Sequence, residues 1–485
     1  MKSEIKGKMN VRAFSMITIC LTLILIFGIS AVSAEQSNIY VNNDTGNDSY
    51  TGESPTFISD LIGPKKTISA GISTVSDNGT VNIANGTYTG NGNKNIIIDK
   101  NVNIKGESSN STVINADNDG QIFYITNNVN VTISNLKMTN ATLNGGDVNG
   151  AIIYQDNGIL NLTNCVFENS SAFFKSGGAI FINTGIININ NCNFNSNEAT
   201  IADGGGGDGG AIYNSLGTLN ILNTVFNNNI GNHGGAIYNF GTLNVINNTF
   251  IGNIGNFGGA ITIESGGISQ IRNSYLINNT ASTFGGAIYN GGNLDIRSSD
   301  MENNVANGFV DESYGEFKAG GAIYNYGTAI VYFNRIINNT DYEIDCEPSY
   351  GSVDAENNWW GSNDDPSSKV NGPVDCNPWL VMTILSSPTT ITKNHSSTIT
   401  ADLTHNSDNS QPTGDHFPDG IPVSFATTLG TISNSTTSNG RAQSKLYGTD
   451  LGTADVSATL DNQTLNTTVN VILRGNRKSL HCLTR

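Results

Sequence analysis

One phrase recurs along this chain and limits what it can fold into. Gly-Gly-Ala-Ile, followed by an aromatic or small residue, begins at Gly177, Gly209, Gly234, Gly258, Gly285 and Gly320, and Asn149-Gly150-Ala151-Ile152 is a weaker copy. Each copy leads into an apolar–polar alternation and then an apolar anchor with Asn three positions later: Phe194 and Asn197, Phe226 and Asn229, Phe250 and Asn253, Leu276 and Asn279, Met301 and Asn304, Ile336 and Asn339. The steps from Phe226 to Phe250 to Leu276 to Met301 are 24, 26 and 25 residues. A fixed period of this length marks a solenoid, whose repeats bury their apolar faces against their neighbours.

In the repeat Gly234 to Asn253, GGAIYNFGTLNVINNTFIGN, three extended segments are legible: Ala236 to Tyr238, Leu243 to Val245, and the residues around Phe250. Period-2 alternation predicts half-buried strands, with corners made by Gly and Asn, which tolerate positive φ. The repeat is too short for two packed helices, and it has no 3.6-residue period. The expected fold is all-β, a right-handed parallel β-helix with coils about 4.8 Å apart. Aligning the coils on the anchor puts Asn135, Asn164, Asn191, Asn223, Asn247 and Asn273 in one column, three residues upstream, with Ser298 next. That register predicts an asparagine ladder along the rod. The Asn three residues downstream of each anchor form a second candidate ladder. Two longer intervals hold insertions, Asp203 to Gly210 and Gly308 to Lys318. Extra residues leave a solenoid as loops on one corner, often the binding face.

Residues 1–34 have the pattern of a secretory signal: Lys2, Lys6, Lys8 and Arg12, then the apolar run Met16 to Ile29, then Ala31-Val32-Ser33-Ala34. A retained membrane anchor is the alternative. No later segment is long and apolar enough to span a bilayer. The formal charge is −17 with 13% charged residues. No basic stripe exists for nucleic acid. Sequons occur at Asn78, Asn85, Asn161, Asn247, Asn338 and Asn466, and some are expected to carry glycans, although an Asn- and Thr-rich chain also generates them by chance. Cys165 and Cys192 each precede an anchor by two residues, so adjacent coils bring them within disulfide range. The expected state is a bridge in an oxidising compartment, or a stacked pair of buried thiols otherwise. Cys346 and Cys376 are a second candidate pair.

The rod is expected over residues 35–365, with a capping module at its start that holds a short amphipathic helix from Lys65 to Val75. Asn357-Asn358-Trp359-Trp360-Gly361 marks its end. Two adjacent Trp side chains cannot both face inward on one strand, so one is expected to lie over the last coil as a lid. A Pro-containing linker at 366–380 precedes a Thr- and Ser-rich segment, 381–473. Alternating stretches at Thr398–Leu403, Ile421–Ala426, Ala442–Tyr447, Ala454–Leu460 and Leu465–Ile472 predict an Ig-like β-sandwich there. Residues 474–485 are a basic tail.

The phrases Gly420-Ile421-Pro422-Val423-Ser424-Phe425, Gly430-Thr431-Ile432 and Asn439-Gly440-Arg441-Ala442 resemble the bacterial Ig-like modules of invasin-type surface proteins. The coupled Gly-Gly-Ala-Ile and Phe-x-x-Asn phrases resemble the repeats of chlamydial polymorphic outer-membrane proteins. With the Asn-Asn-Trp-Trp-Gly segment added, residues 38 to 473 look like the adhesin-like proteins of methanogenic archaea. The resemblance implies a secreted or cell-surface attachment rod whose partners are cell-surface glycans or the envelopes of other cells.

Parallel β-helices also carry polysaccharide lyases, hydrolases and epimerases, so a carbohydrate-active enzyme is the alternative reading. Such enzymes cluster carboxylates, bases or Ca²⁺ on one face. The repeats are poor in these groups. His233 stands alone in the coils, and no catalytic residue is assigned. Arg272 and Arg297 share a register on successive coils, which suits either a grip on a carboxylated sugar or a solvated position balanced by Asp295. Asp203 and Asp208 are weak Ca²⁺ candidates, and no other cofactor is implied.

Overall fold

The computed structural model describes residues 36–474 except 145–148, 201–206, 312–314 and 318. The expected signal segment, Asp203 and nearly all of the basic tail lie outside the described residues.

The repeats build a parallel β-helix. One regular coil consists of Ile237–Asn239, Thr242–Ile246, Thr249–Ile251 and Ile254–Phe257. Each strand pairs in parallel with its counterpart on the next coil, so the four columns become sheets of 11, 13, 10 and 7 strands. Sequence alternation reveals three of them. The fourth escapes it because its strands run to as few as two residues, as in Glu198–Ala199 and Ile230–Gly231, too short to show a period.

The anchors fill the interior. Phe167, Phe194, Phe226 and Phe250 are fully buried and stack with centroids 4.5, 4.8 and 4.8 Å apart, followed in the column by Leu276, Met301 and Ile336. Burial of one such side chain contributes about 1.5–3 kcal/mol. The Gly-Gly-Ala phrase makes the corner between the seven-stranded and eleven-stranded sheets. Gly234 has φ +65°, and a Cβ on Gly235 would strike the carbonyl of Gly259 on the next coil. The first glycine turns the chain, the second lets two backbones touch, and Ala236 is fully buried behind them.

The upstream asparagines sit at a corner in the left-handed region, with φ between 50° and 57° from Asn135 to Asn273. Their side chains are linked only in the early coils: Asn164 donates to Asn135 at 3.1 Å and Asn191 to Asn164 at 2.7 Å. Asn223 turns instead to Asn190, and Asn247 and Asn273 form no side-chain hydrogen bond. Along the whole column the recurring bond is a backbone one, such as Asn247 N–H to the carbonyl of Arg272 at 3.2 Å. The unbroken ladder lies downstream of the anchors. Asn197, Asn229, Asn253, Asn279, Asn304 and Asn339 are buried, and each of the first five donates its side chain to the next at 2.8–3.1 Å. Each carboxamide after Asn197 also accepts the backbone N–H of the residue before it in the column, as Asn253 does from Asn229 at 3.0 Å.

Cys165 and Cys192 are free buried thiols, and so are Cys346 and Cys376. Of the two states expected for the first pair, a bridge or stacked buried thiols, the structure shows the second, and the column gives the thiol a role there. Two residues before the anchors, a side chain on each coil accepts the backbone N–H of the coil before: Cys192 Sγ from Cys165, Thr224 from Cys192, Asn248 from Thr224, then Ser274, Ser299, Asn334 and Asn358. The thiol is one rung among hydroxyls and amides. Cys192→Thr, which copies Thr224, is expected to change stability by less than about 1 kcal/mol, whereas Cys192→Val leaves the Cys165 N–H unpaired and costs about 1–3 kcal/mol. Chemical denaturation of both variants checks this, and equal stabilities would sink the assignment.

At the N-terminal end a helix at Ile68–Thr74, with Thr67 as N-cap, covers the first coil through Ile68 and Ile72. It is shorter than expected because Lys65 is taken into a parallel bridge with Val41. At the other end the solenoid continues past residue 365. Val370–Asn371 and Val374–Asp375 pair with Ile344–Cys346 and Ser352–Asp354, so most of the expected linker is a final coil.

The chain then enters an eight-stranded, nearly closed β-sandwich starting at Leu380–Ser387. The Trp pair lies between the two units. Trp360 belongs to the solenoid core and Trp359 to the sandwich core, both essentially inaccessible. Alternation still sends them to opposite faces, but both faces are covered. The expected lid is a shared wall, and neither ring is open for stacking on a sugar.

Candidate functional site: an aromatic corner with its loops

The residue after Gly-Gly-Ala-Ile faces out of the eleven-stranded sheet at Phe181, Tyr213 and Tyr238, and Tyr124 and Tyr154 hold the same register on the coils before them. Tyr124, Tyr154, Phe181, Tyr213 and Tyr238 stack in an unbroken, half-buried row with centroids 4.6, 5.5, 4.8 and 4.8 Å apart. Stacking turns the ring faces toward each other and leaves edges and hydroxyls outward. The row breaks at Thr262, which is buried and donates to the carbonyl of Phe257 at 2.8 Å. Beside the break, Phe257 packs against His233, Phe284 and Tyr289, and Phe284 stacks on Tyr324 at 4.4 Å.

The long connections leave at this same corner. The segment after Thr142–Asn144, the one after Glu198–Ala199 and the antiparallel hairpin Phe309–Asp311/Gly315–Phe317 all run from the seven-stranded to the eleven-stranded sheet. Phe309, at the base of the hairpin, meets Phe284 edge-on at 5.6 Å and is 43% exposed.

The corner has an acidic rim. Burial raises the pKa of Tyr213 and Tyr238, and the nearby charges of Asp208 and Glu264 raise it further, so the phenols remain neutral hydrogen-bonding groups. His233 Nδ1 lies 2.6 Å from Asp208. Burial lowers the imidazole pKa, but the hydrogen bond and charge of Asp208 outweigh it and hold it above its ordinary value. This ion pair is complete at acidic pH and is lost as pH rises through that elevated pKa. Asp208 is thus engaged with a histidine, and no group of three metal-ligating side chains occurs among the described residues. Asp203, the other Ca²⁺ candidate, lies outside the described residues.

Arg272 and Arg297 lie elsewhere, on the thirteen-stranded sheet, and neither is free to take a carboxylated sugar. Asp295 bridges them, at 2.6 Å from Arg272 and 2.8 Å from Arg297. The bridging carboxylate offsets the repulsion of two guanidiniums set opposite each other in register. Arg297 also reaches Asp415 of the sandwich at 3.2 Å and lies over the Tyr332 ring. Next to it Arg335, which sequence inspection missed, joins the two units. It binds Asp300 at 2.9 Å, Glu302 at 2.6 Å and Asp461 of the sandwich at 2.6 Å, and Asp461 also accepts from Trp359 Nε1 at 2.7 Å.

No family of known proteins and no curated protein matches the chain. Two solved structures are similar to parts of it. One is the Yersinia pseudotuberculosis adhesin InvE, with 32% identity over 19% of this chain and 26% of that one, at a TM-score of 0.16. The other comprises domains 4 and 5 of the S-layer protein SbsC, with 20% identity over 20% of this chain and 55% of that one, at a TM-score of 0.15. The chain thus spans about a quarter of InvE and about half of the SbsC fragment. No helix among the described residues is long and apolar enough to cross a membrane.

Proposed function

We propose that this chain is a secreted or cell-surface, adhesin-like binding protein that holds glycans of partner surfaces along the aromatic corner. The observation that carries this reading is the convergence of half-buried rings, phenol hydroxyls and the Phe309–Asp311/Gly315–Phe317 hairpin on one edge of the rod, between the two sheets that the other long connections also join. Amphipathic rings give contact area at low entropic cost, and adjacent loops give selectivity. The repeat's likeness to polymorphic outer-membrane proteins and methanogen adhesin-like proteins, and the sandwich's likeness to Ig-like modules of invasins, support the same reading.

Glycan-array and whole-cell binding by the purified secreted protein tests it. Tyr213→Thr, which copies the native Thr262, combined with Phe309→Ser, is expected to weaken binding about tenfold or more. Unchanged binding would remove the corner from the proposal. Shortened or unsaturated sugars accumulating from polyuronate would replace it with an enzymatic role.

A further inference from the structure

A cavity of 330 Å³ lies where the sandwich meets the ten-stranded sheet, with walls from both units. Small-molecule sites favour domain junctions and run from about 300 to 1,000 Å³. The walls are fixed relative to each other. Tyr275 donates its hydroxyl to the Asp419 carbonyl at 3.1 Å, and Ser298 donates to the His416 carbonyl at 2.7 Å. The Arg335–Asp461 and Arg297–Asp415 pairs close the same junction.

The lining has polar capacity in excess of what the fold uses. Asn247 and Asn273 face the cavity, and these are the members of the corner column whose side chains bond to nothing in the protein, unlike Asn164 and Asn191. The Thr249 hydroxyl is likewise without a protein partner. His416 uses Nδ1 on the Phe417 carbonyl at 2.8 Å, leaving Nε2 available. The lining includes the carboxylates of Asp300 and Asp419 but no lysine or arginine, and the neighbouring guanidiniums are held by carboxylates. Tyr275 and Pro418 add apolar surface. Amides, hydroxyls and carboxylates without a free cation reject phosphates, sulfates and uronates. They suit a neutral ligand with many hydroxyl donors and an apolar face.

We propose that this junction cavity is a binding site for a neutral mono- or disaccharide. It shares the glycan-binding reading above but none of its residues. The test uses the full secreted chain, titrated with methyl glucoside, methyl galactoside, N-acetylglucosamine and glucuronate and followed by saturation-transfer NMR and calorimetry. At least one neutral sugar is expected to bind saturably and glucuronate not to bind. Asn273→Gly, which keeps the left-handed backbone, together with Thr249→Val, is expected to weaken binding about tenfold or more. Asn191→Gly, the same register outside the cavity, is expected to change nothing, and Tyr213→Thr at the aromatic corner is titrated beside it to separate the two sites. Absent neutral-sugar binding, preference for glucuronate, or full binding by the Asn273/Thr249 variant would overturn the proposal. Loss confined to Tyr213→Thr would assign the sugar to the aromatic corner and leave that reading standing.

Discussion

Replacing Asn253 by Leu is expected to destabilise the solenoid by about 4 kcal/mol or more, although it puts an apolar residue into an apolar core. Asn253 accepts from the backbone N–H and the side chain of Asn229, both at 3.0 Å, and donates to the Phe226 carbonyl at 3.0 Å and to Asn279 at 2.9 Å. Leu supplies none of these bonds and admits no water, so the buried Asn229 N–H loses its acceptor, at about 1–3 kcal/mol, and three further bonds are lost at about 0.5–1.5 kcal/mol each, even though Asn229 Nδ2 keeps the Phe194 carbonyl and Asn279 Oδ1 keeps the backbone N–H of residue 253. The control is Asn244→Leu. Asn244 donates to Asn220 at 2.8 Å in another column, on a half-exposed outer face where water replaces the lost partner, and the expected cost is below about 1 kcal/mol. Urea unfolding followed by far-ultraviolet circular dichroism distinguishes them. A loss in Asn253→Leu no larger than in Asn244→Leu would show that the buried ladder is not what holds the coils in register.

The second large effect is expected at Arg335→Met. This substitution leaves Asp300, Asp461 and the more exposed Glu302 without their cation at the domain junction. Breaking a buried pair from one side costs about 3–5 kcal/mol. All three tryptophans, Trp359, Trp360 and Trp379, sit at or beside this junction, so intrinsic fluorescence reports it selectively. The effect depends on pH with a definite sign. Burial pushes the Asp300 carboxyl up from 3.8 to about 6, against the pull of Arg335. A carboxyl with a raised folded pKa favours the folded state most below its unfolded value, and that advantage is lost as pH rises through about 6. Removing Arg335 raises it further. The deficit of the variant is therefore expected to be larger at pH 8 than at pH 5, and a deficit independent of pH would contradict the assignment.

The sequence announces the coil but not everything that seals it. Gly234-Gly235-Ala236, the alternation around Leu243 and the Phe250 anchor are local signals with fixed spacing, so strands, corners and period are legible in one dimension. Asn247 and Asn253 look equivalent in the chain, one three residues before the anchor and the other three after. Only the inward turn of the backbone makes one an exposed corner and the other a buried rung. Cys192 looks like half of a bridge until Thr224 is seen doing the same work on the next coil. Arg335 and Asp461 are 126 residues apart in the chain, and no periodicity connects them. The aromatic column was written in the repeat from the start, as the residue after Gly-Gly-Ala-Ile. Its meeting with the loops was not, because the fourth sheet that brings them to one corner is nearly silent in sequence.

Connections of very different length leave the glycine corner, yet the strands beyond resume the same pairing: Ile180 opposite Ile212 across one insertion, Ile288 opposite Ile323 across another. What this rod presents to its surroundings is thus separated from what keeps it standing. A lineage that lengthens or rewrites one of these connections alters a single point of display, and the frame on either side does not have to be solved again.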